Sequence, residues 1–196
     1  MLRLPLTLLL ALSMFFAGAA HAEQTRAGPQ RVFIAGDSTA ATYGPERAPQ
    51  AGWGQALQGY LDPTVWEVRN HAVGGRSTRS FIDEGRLDAI AKDIRRGDVL
   101  LIQFGHNDAK FEDPKRYTDP EGDYPRLLSR YIAVARDKGA TPILITPVAR
   151  LLYDFGSLLD THGVYTRAVK ELAEREQVGL IDLNDSSTRW IRALGE

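Results

Sequence analysis

Five short apolar runs punctuate the chain, at 31–35, 66–73, 98–104, 141–146 and 178–183. The run DVLLIQF at 98–104 is nearly continuous, the mark of a strand covered on both faces. Between the runs, apolar residues recur at helical spacing. Trp53, Ala56, Leu57 and Tyr60 predict a helix over 52–61, stopped by Asp62-Pro63. Ser77 or Thr78 can cap a short helix that Gly85 ends. Leu87, Ile90, Ala91 and Ile94 form a second stripe, closed by Gly97. Tyr124, Leu127, Leu128, Tyr131, Val134 and Ala135 make the best face in the chain, and Gly139 ends it. Tyr165, Ala168, Val169, Leu172 and Ala173 mark another helix, and 186–193 a last one. The segments 43–49, 109–122 and 150–163 read as loops. Strands alternating with helices, with the strand runs apolar on both faces, predict a parallel sheet with helices on both sides. There is no repeat, low-complexity stretch or internal linker.

Residues 1–22 stand outside this pattern. Arg3 gives a positive start, 4–17 are apolar and Leu-rich, and Ala20-His21-Ala22 is a small-residue cleavage site. These features predict a signal peptide cut after Ala22, and a secreted or periplasmic protein. The apolar stretch is too short for a membrane span, so no membrane partner is expected after cleavage. A polar lead-in, 23–30, then precedes a single domain over 31–196. With 196 residues in all, that domain can bury a full core. A net charge of −1 gives no basic field for nucleic acid. The chain has no cysteine, its histidines lack ligand spacing, and neither G-x-G-x-x-G nor a P-loop occurs. No metal or cofactor is expected.

Three strand ends carry unusual polar residues. In open α/β sheets the site lies at such ends. The first is Gly36-Asp37-Ser38-Thr39, followed by Ala40 and Ala41. A short helix is expected there, and it would place Ser38 beside a helix N-terminus that favours developing negative charge. Asp37 or Ser38 as a simple cap is the competing reading. The others are Gly74-Gly75-Arg76-Ser77 and Gly105-His106-Asn107-Asp108. An acyl-transfer enzyme needs a nucleophile, oxyanion donors and a base. Ser38 can be the nucleophile. Its own N–H, the Gly75 N–H and the Asn107 side-chain amide can be the donors. Gly74-Gly75 as a plain turn and Asn107 as a cap stay open. Asp37 and Asp108 are candidate substrate contacts, with a turn-capping role open for Asp108. Arg76 and Arg79 lie near the pocket mouth or in solvent. His71 reads as a packed histidine, and His106 as structural or substrate-contacting rather than as a base.

GDST at 36–39, NHAVGGRS at 70–77 and GHND at 105–108, in that order, resemble the SGNH (GDSL-type) hydrolases. Within that superfamily GDSTAATY, NHAVGGRSTRSFIDEG, QFGHND, TPVAR and DTHGVYTRAVKELA are similar to the rhamnogalacturonan acetylesterase branch. The likeness runs from Arg31 to Leu194. It implies a flavodoxin-like three-layer α/β/α sandwich with a five-stranded parallel sheet. It implies Ser38 as nucleophile with Gly75 and Asn107 in the oxyanion hole, no cofactor, and an acetylated pectic polysaccharide as substrate. The family's fourth block, Asp-x-x-His, supplies the general base and is missing here. The residues three positions before the histidines are Gly18, Val68, Gln103 and Leu159. Asp160-Thr161-His162 has the wrong spacing and precedes a helix and a strand. The reading is therefore a domain lacking its C-terminal helix, with apolar surface left open on one sheet face. As this polypeptide it would be a poor or inactive esterase. Other acetylated carbohydrates or small esters are the alternative substrates. A non-catalytic carbohydrate-binding remnant is the alternative in kind.

Overall fold

A computed structural model describes residues 28–195. The expected signal peptide and most of the lead-in lie outside the described residues. In chain order the elements are β1 (Gln30–Gly36), α1 (Trp53–Ala56) with a 3₁₀ turn (Leu57–Tyr60), β2 (Trp66–Asn70), α2 (Thr78–Asp83), α3 (Arg86–Asp93) and β3 (Val99–Gln103). After them come α4 (Asp123–Asp137), β4 (Thr141–Ile145), a hairpin of β5 (Tyr153–Asp154) and β6 (Ser157–Leu158), α5 (Gly163–Glu176), β7 (Gly179–Ile181) and α6 (Leu183–Leu194). Five strands pair in parallel in the order β2-β1-β3-β4-β7. The expected five-stranded flavodoxin-like sheet is therefore present. Its strand order reverses between β1 and β3, where such sheets open a crevice. Gly36 stands opposite Gln103, and Gln103 opposite Ile145, so the central strands end level and their loops meet.

Alternation along each strand sorts side chains onto two faces. Phe33, Leu100, Ile102 and Leu144 pack under α2, α4 and α5 against Phe81, Tyr131, Ile132 and Leu172. Val32, Ile34, Leu101 and Ile145 face the other way, toward Trp53, Leu57 and Leu183. Each such side chain, fully buried, contributes roughly 1.5–3 kcal/mol. On the edge strand β7 the neighbours Leu180 and Ile181, which face opposite sides of the sheet, stay exposed, as do Trp190 and Leu194 on α6. Arg31, buried where β1 begins, bonds Asp98 through Nε (3.2 Å) and Nη2 (2.8 Å), and reaches Asp93 through Nη1 (2.7 Å). This ion pair ties β1 to the turn before β3 at the end of the sheet away from the polar loops.

Several expectations need correction. The helix over 52–61 is one α turn continued as 3₁₀. Gln30 belongs to β1 rather than to the lead-in, and β2 stops at Asn70, short of the expected Val73. The last helix begins at Leu183, capped by the Asp182 carboxylate on Asp185 N–H. The loop 150–163 contains the β5–β6 hairpin. No helix follows β1: residues 38–40 form a turn closed by Ala40 N–H on Asp37 O at 3.2 Å.

Helix α2 is fixed at its start by a reciprocal cap. The Ser77 hydroxyl accepts from Ser80 N–H (3.2 Å), and the Ser80 hydroxyl accepts from Ser77 N–H (2.9 Å). Because this cap ends the Gly74–Arg76 loop, Ser77→Ala should cost about 1 kcal/mol. The check is a lower urea midpoint at unchanged m-value; an unmoved midpoint would show the cap to be idle.

Candidate active site

The turn that carries Ser38 is built by Asp37 rather than by a helix N-terminus. The Asp37 side chain is fully buried, and Oδ1 accepts from Thr39 N–H (2.9 Å) and the Thr39 hydroxyl (2.8 Å). This is the local side-chain-to-backbone bond that lets Asp compete with a helix. The Thr39 hydroxyl also lies 2.9 Å from Gln103 Oε1, which in turn accepts from Trp53 Nε1 at 2.9 Å. Tyr43 holds the turn from the other side, its hydroxyl donating to Ser38 O at 2.8 Å. Ser38 remains partly exposed at the crest. Among the described residues neither its N–H nor its hydroxyl makes a hydrogen bond.

The second loop crosses beside it. A Cβ placed on Gly74 would stand 3.6 Å from the Ser38 Cβ, so the two backbones are in contact. Gly75 has φ +83°, a conformation that favours glycine, and its N–H is unbonded among the described residues. The third loop leaves β3 through Gly105, whose φ is +142° and where a Cβ would fall 2.5 Å from Pro147. Asn107 is buried (3% exposed), and its Nδ2 donates to Arg76 O at 3.0 Å. That bond uses one of the two amide hydrogens and aims the other. Ser38 N–H, Gly75 N–H and Asn107 Nδ2–H are thus three donors from three loops at one end of the sheet. An open cleft of about 560 Å³ begins at Gly75 and runs between Arg76, Arg79, Lys115 and Arg116. Arg76 is held by Glu84, and Arg79 by Asp123.

Asp108 departs from the expected substrate contact. It is fully buried, and Oδ1 accepts from Thr78 N–H (3.0 Å), the Thr78 hydroxyl (2.6 Å) and the Thr118 hydroxyl (2.8 Å). Burial pushes its carboxyl up to about 6 in spite of those bonds. Asp37 likewise turns inward, so neither carboxylate presents an oxygen to the cleft. Both build the loops. Three buried tyrosines do the same work from below. Tyr124 donates to Phe104 O (2.9 Å), Tyr131 to Thr78 O (2.9 Å), and Tyr165 lies at 3.0 and 2.9 Å from the carbonyls of Asp108 and Thr118. His71 is the packed histidine expected, stacked on Phe33.

One participant went unforeseen. His162, 1% exposed and just ahead of α5, packs edge-on against His106 with centroids 4.2 Å apart. Burial pushes the His162 imidazole down to about 3, helped by His106 and Arg150, so it is neutral near neutral pH. His106 Nδ1 in turn lies 3.6 Å from Asp37 Oδ2. The DTHG stretch was the available signal, but its spacing pointed away from the site. Among the described residues no group of three or more His, Asp or Glu side chains is arranged to hold a metal ion. No helix there is long and apolar enough to cross a membrane.

A serine on an Asp-built turn, a glycine in the left-handed region and an anchored asparagine, met in this order at level strand ends, carry the family likeness into three dimensions. Residues 34–195 match the GDSL-like lipase/acylhydrolase family. The chain belongs to that family. GDSL-like acylhydrolases are carboxylic ester hydrolases, and similar proteins are named for acetyl esters of carbohydrates. The probable rhamnogalacturonan acetylesterase YesY of Bacillus subtilis is 47% identical over 165 residues, 84% of this chain and 75% of that protein. The rhamnogalacturonan acetylesterase RhgT of the same organism is 48% identical over 156 residues, 79% of this chain and 65% of that protein. The crystal structure of YxiM from Bacillus subtilis superposes with a TM-score of 0.73 at 34% identity, over 85% of this chain and 47% of that one. The chain thus spans three quarters of one relative, just under two thirds of the next, and about half of the third.

Proposed function

We propose that this GDSL-like protein is a serine esterase that removes acetyl groups from a plant cell-wall polysaccharide of the rhamnogalacturonan type. The observation that carries the reading is Asn107, its amide held on Arg76 O at 3.0 Å with a second hydrogen unpaired, at the same end of the sheet as Gly75 and Ser38. Ser38 Oγ would bond to the acetyl carbon as its proton passes to a base. The carbonyl oxygen would take up the charge and accept from Ser38 N–H, Gly75 N–H and Asn107 Nδ2. Collapse breaks the bond to the sugar oxygen, which leaves as a hydroxyl with the proton. Water then repeats the attack on the acyl-enzyme and releases acetate. The names of YesY and RhgT support the substrate class. In the same reading the leader-like residues 1–22 export the enzyme from the cytoplasm toward a polymer that lies outside the cell.

A second reading, carbohydrate binding without turnover, is favoured by one feature. Ser38 Oγ has no imidazole partner among the described residues, and an unassisted serine hydroxyl is a weak nucleophile. Acetate release from acetylated rhamnogalacturonan, acetylated xylan and a small aryl acetate separates the readings. The fastest release is expected from the pectic polymer. Faster release from xylan would move the substrate. No acetate from any ester, with retained binding of the polymer, would leave the binding reading.

A further inference from the structure

Among the described residues, four polar atoms at the mouth of the first and third loops are enclosed without a hydrogen bond. They are Asp37 Oδ2, His106 Nδ1, and both ring nitrogens of His162. Buried polar atoms left unpaired are costly, and a fold that keeps several together beside a nucleophile has some use for them.

The cluster orients one ring. Asp37 Oδ1 already accepts two bonds from Thr39, whereas Oδ2 has no donor except His106 Nδ1, 3.6 Å away. At 3.6 Å the contact is not yet a formed hydrogen bond, and such contacts tighten when a site is occupied. A proton on Nδ1 facing the carboxylate leaves Nε2 with its lone pair, an acceptor only. Nε2 is also the open nitrogen: it is absent from the enclosed atoms, on a side chain 13% exposed. The ring cannot turn freely, because His162 abuts it edge-on with centroids 4.2 Å apart. His106 therefore presents a fixed acceptor directly beside Asn107, which donates to the oxyanion in the proposed reaction.

We propose that His106 is a specificity residue whose Nε2 accepts a hydrogen bond from a free hydroxyl on the sugar ring that carries the acetyl ester. The inference rests on the esterase reading for the position of the ester. A sugar hydroxyl is the donor that such an acceptor selects. His106 reaches the carboxylate of Asp37, the chain neighbour of Ser38, so an ester held at Ser38 lies close to this loop. Asp37 and His162 are positioning residues here: one fixes the tautomer, the other the plane.

The test compares a monoacetylated sugar that has a free neighbouring hydroxyl with its deoxy analogue lacking that hydroxyl. In the wild type the ratio of their kcat/KM values should favour the hydroxylated ester about tenfold. His106→Phe should abolish that preference, and His106→Gln, which keeps an acceptor, should restore part of it. A ratio that stays the same in His106→Phe overturns the proposal, whatever the absolute rates do, because a base or a purely structural residue would slow both esters alike. If neither ester turns over, calorimetric Kd values for the two deacetylated sugars carry the same comparison. A preference that disappears in His106→Phe then supports the acceptor and removes the esterase reading. Equal Kd ratios in wild type and His106→Phe overturn the acceptor itself.

Discussion

Ser38→Ala is expected to lower acetate release by at least about 10³-fold and to abolish labelling by a serine-directed phosphonate. The turn survives this change: Asp37 Oδ1 holds Thr39, and Tyr43 holds a backbone carbonyl, neither of which involves the Ser38 hydroxyl. A loss with unaltered melting temperature is then a loss of chemistry. Asn107→Ala removes one oxyanion donor and should cost about 10²–10³ in kcat with little change in KM. It also frees Arg76 O, so phosphonate labelling is the better measure, since the phosphonyl oxygen occupies the same donors. Labelling of Asn107→Ala at the wild-type rate would remove Asn107 from the oxyanion hole. Labelling of Ser38→Ala at the wild-type rate would remove Ser38 from the reaction. The two losses will not add, because both act on one transition state.

The layers of the fold were legible because they rest on burial. The run at 98–104 is apolar at nearly every position, since β3 is the middle strand with cover on both faces. The α4 face was legible for the same reason, with Tyr124, Leu127, Leu128 and Tyr131 all buried. Elements too short to show a period escaped. The β5–β6 hairpin has two residues in each strand. The end of β2 was overextended because Ala72 and Val73 read as strand, whereas the chain leaves the ladder after Asn70.

The donors of the candidate site were legible because glycine and asparagine in strand-end loops are chosen for backbone reasons that show in the sequence. The carboxylates misled. Polar residues in such loops read as facing a ligand, but Asp37 bonds the residue two ahead of it, and Asp108 caps the first turn of a helix 30 residues earlier. The first is a local turn with a known preference. The second is a tertiary contact with no periodicity to betray it. The tyrosines were legible only as apolar positions; that their hydroxyls end on Phe104, Thr78 and Asp108 follows from helix depth, which spacing does not encode. His162 meets His106 across 56 residues of chain, so neither its position nor its neutrality could be read from DTHG.

Those two buried groups, Asp108 and His162, predict an unusual stability profile. Burial holds Asp108 at about 6 against an ordinary 3.8, so between these values the folded chain binds more protons than the unfolded one. Stability from this group falls as pH rises through that window. His162 is held at about 3 against 6.5, so between pH 3 and 6.5 the unfolded chain binds more protons, and stability rises with pH. Each slope approaches about 1.4 kcal/mol per pH unit at full effect. From about pH 4 to 6 the two oppose each other, and in the wild type they largely cancel. Asp108→Asn keeps an oxygen to accept from Thr78 and Thr118, and should make the stability–pH slope more positive across that range. His162→Phe keeps a ring against His106, and should make it more negative. The double variant should return the wild-type shape at a different absolute level. Urea unfolding at pH 4, 5 and 6 measures all four. Parallel profiles in the wild type and Asp108→Asn would mean that Asp108 titrates as an ordinary carboxylate, and its bonds to Thr78 and Thr118 would then offset its burial.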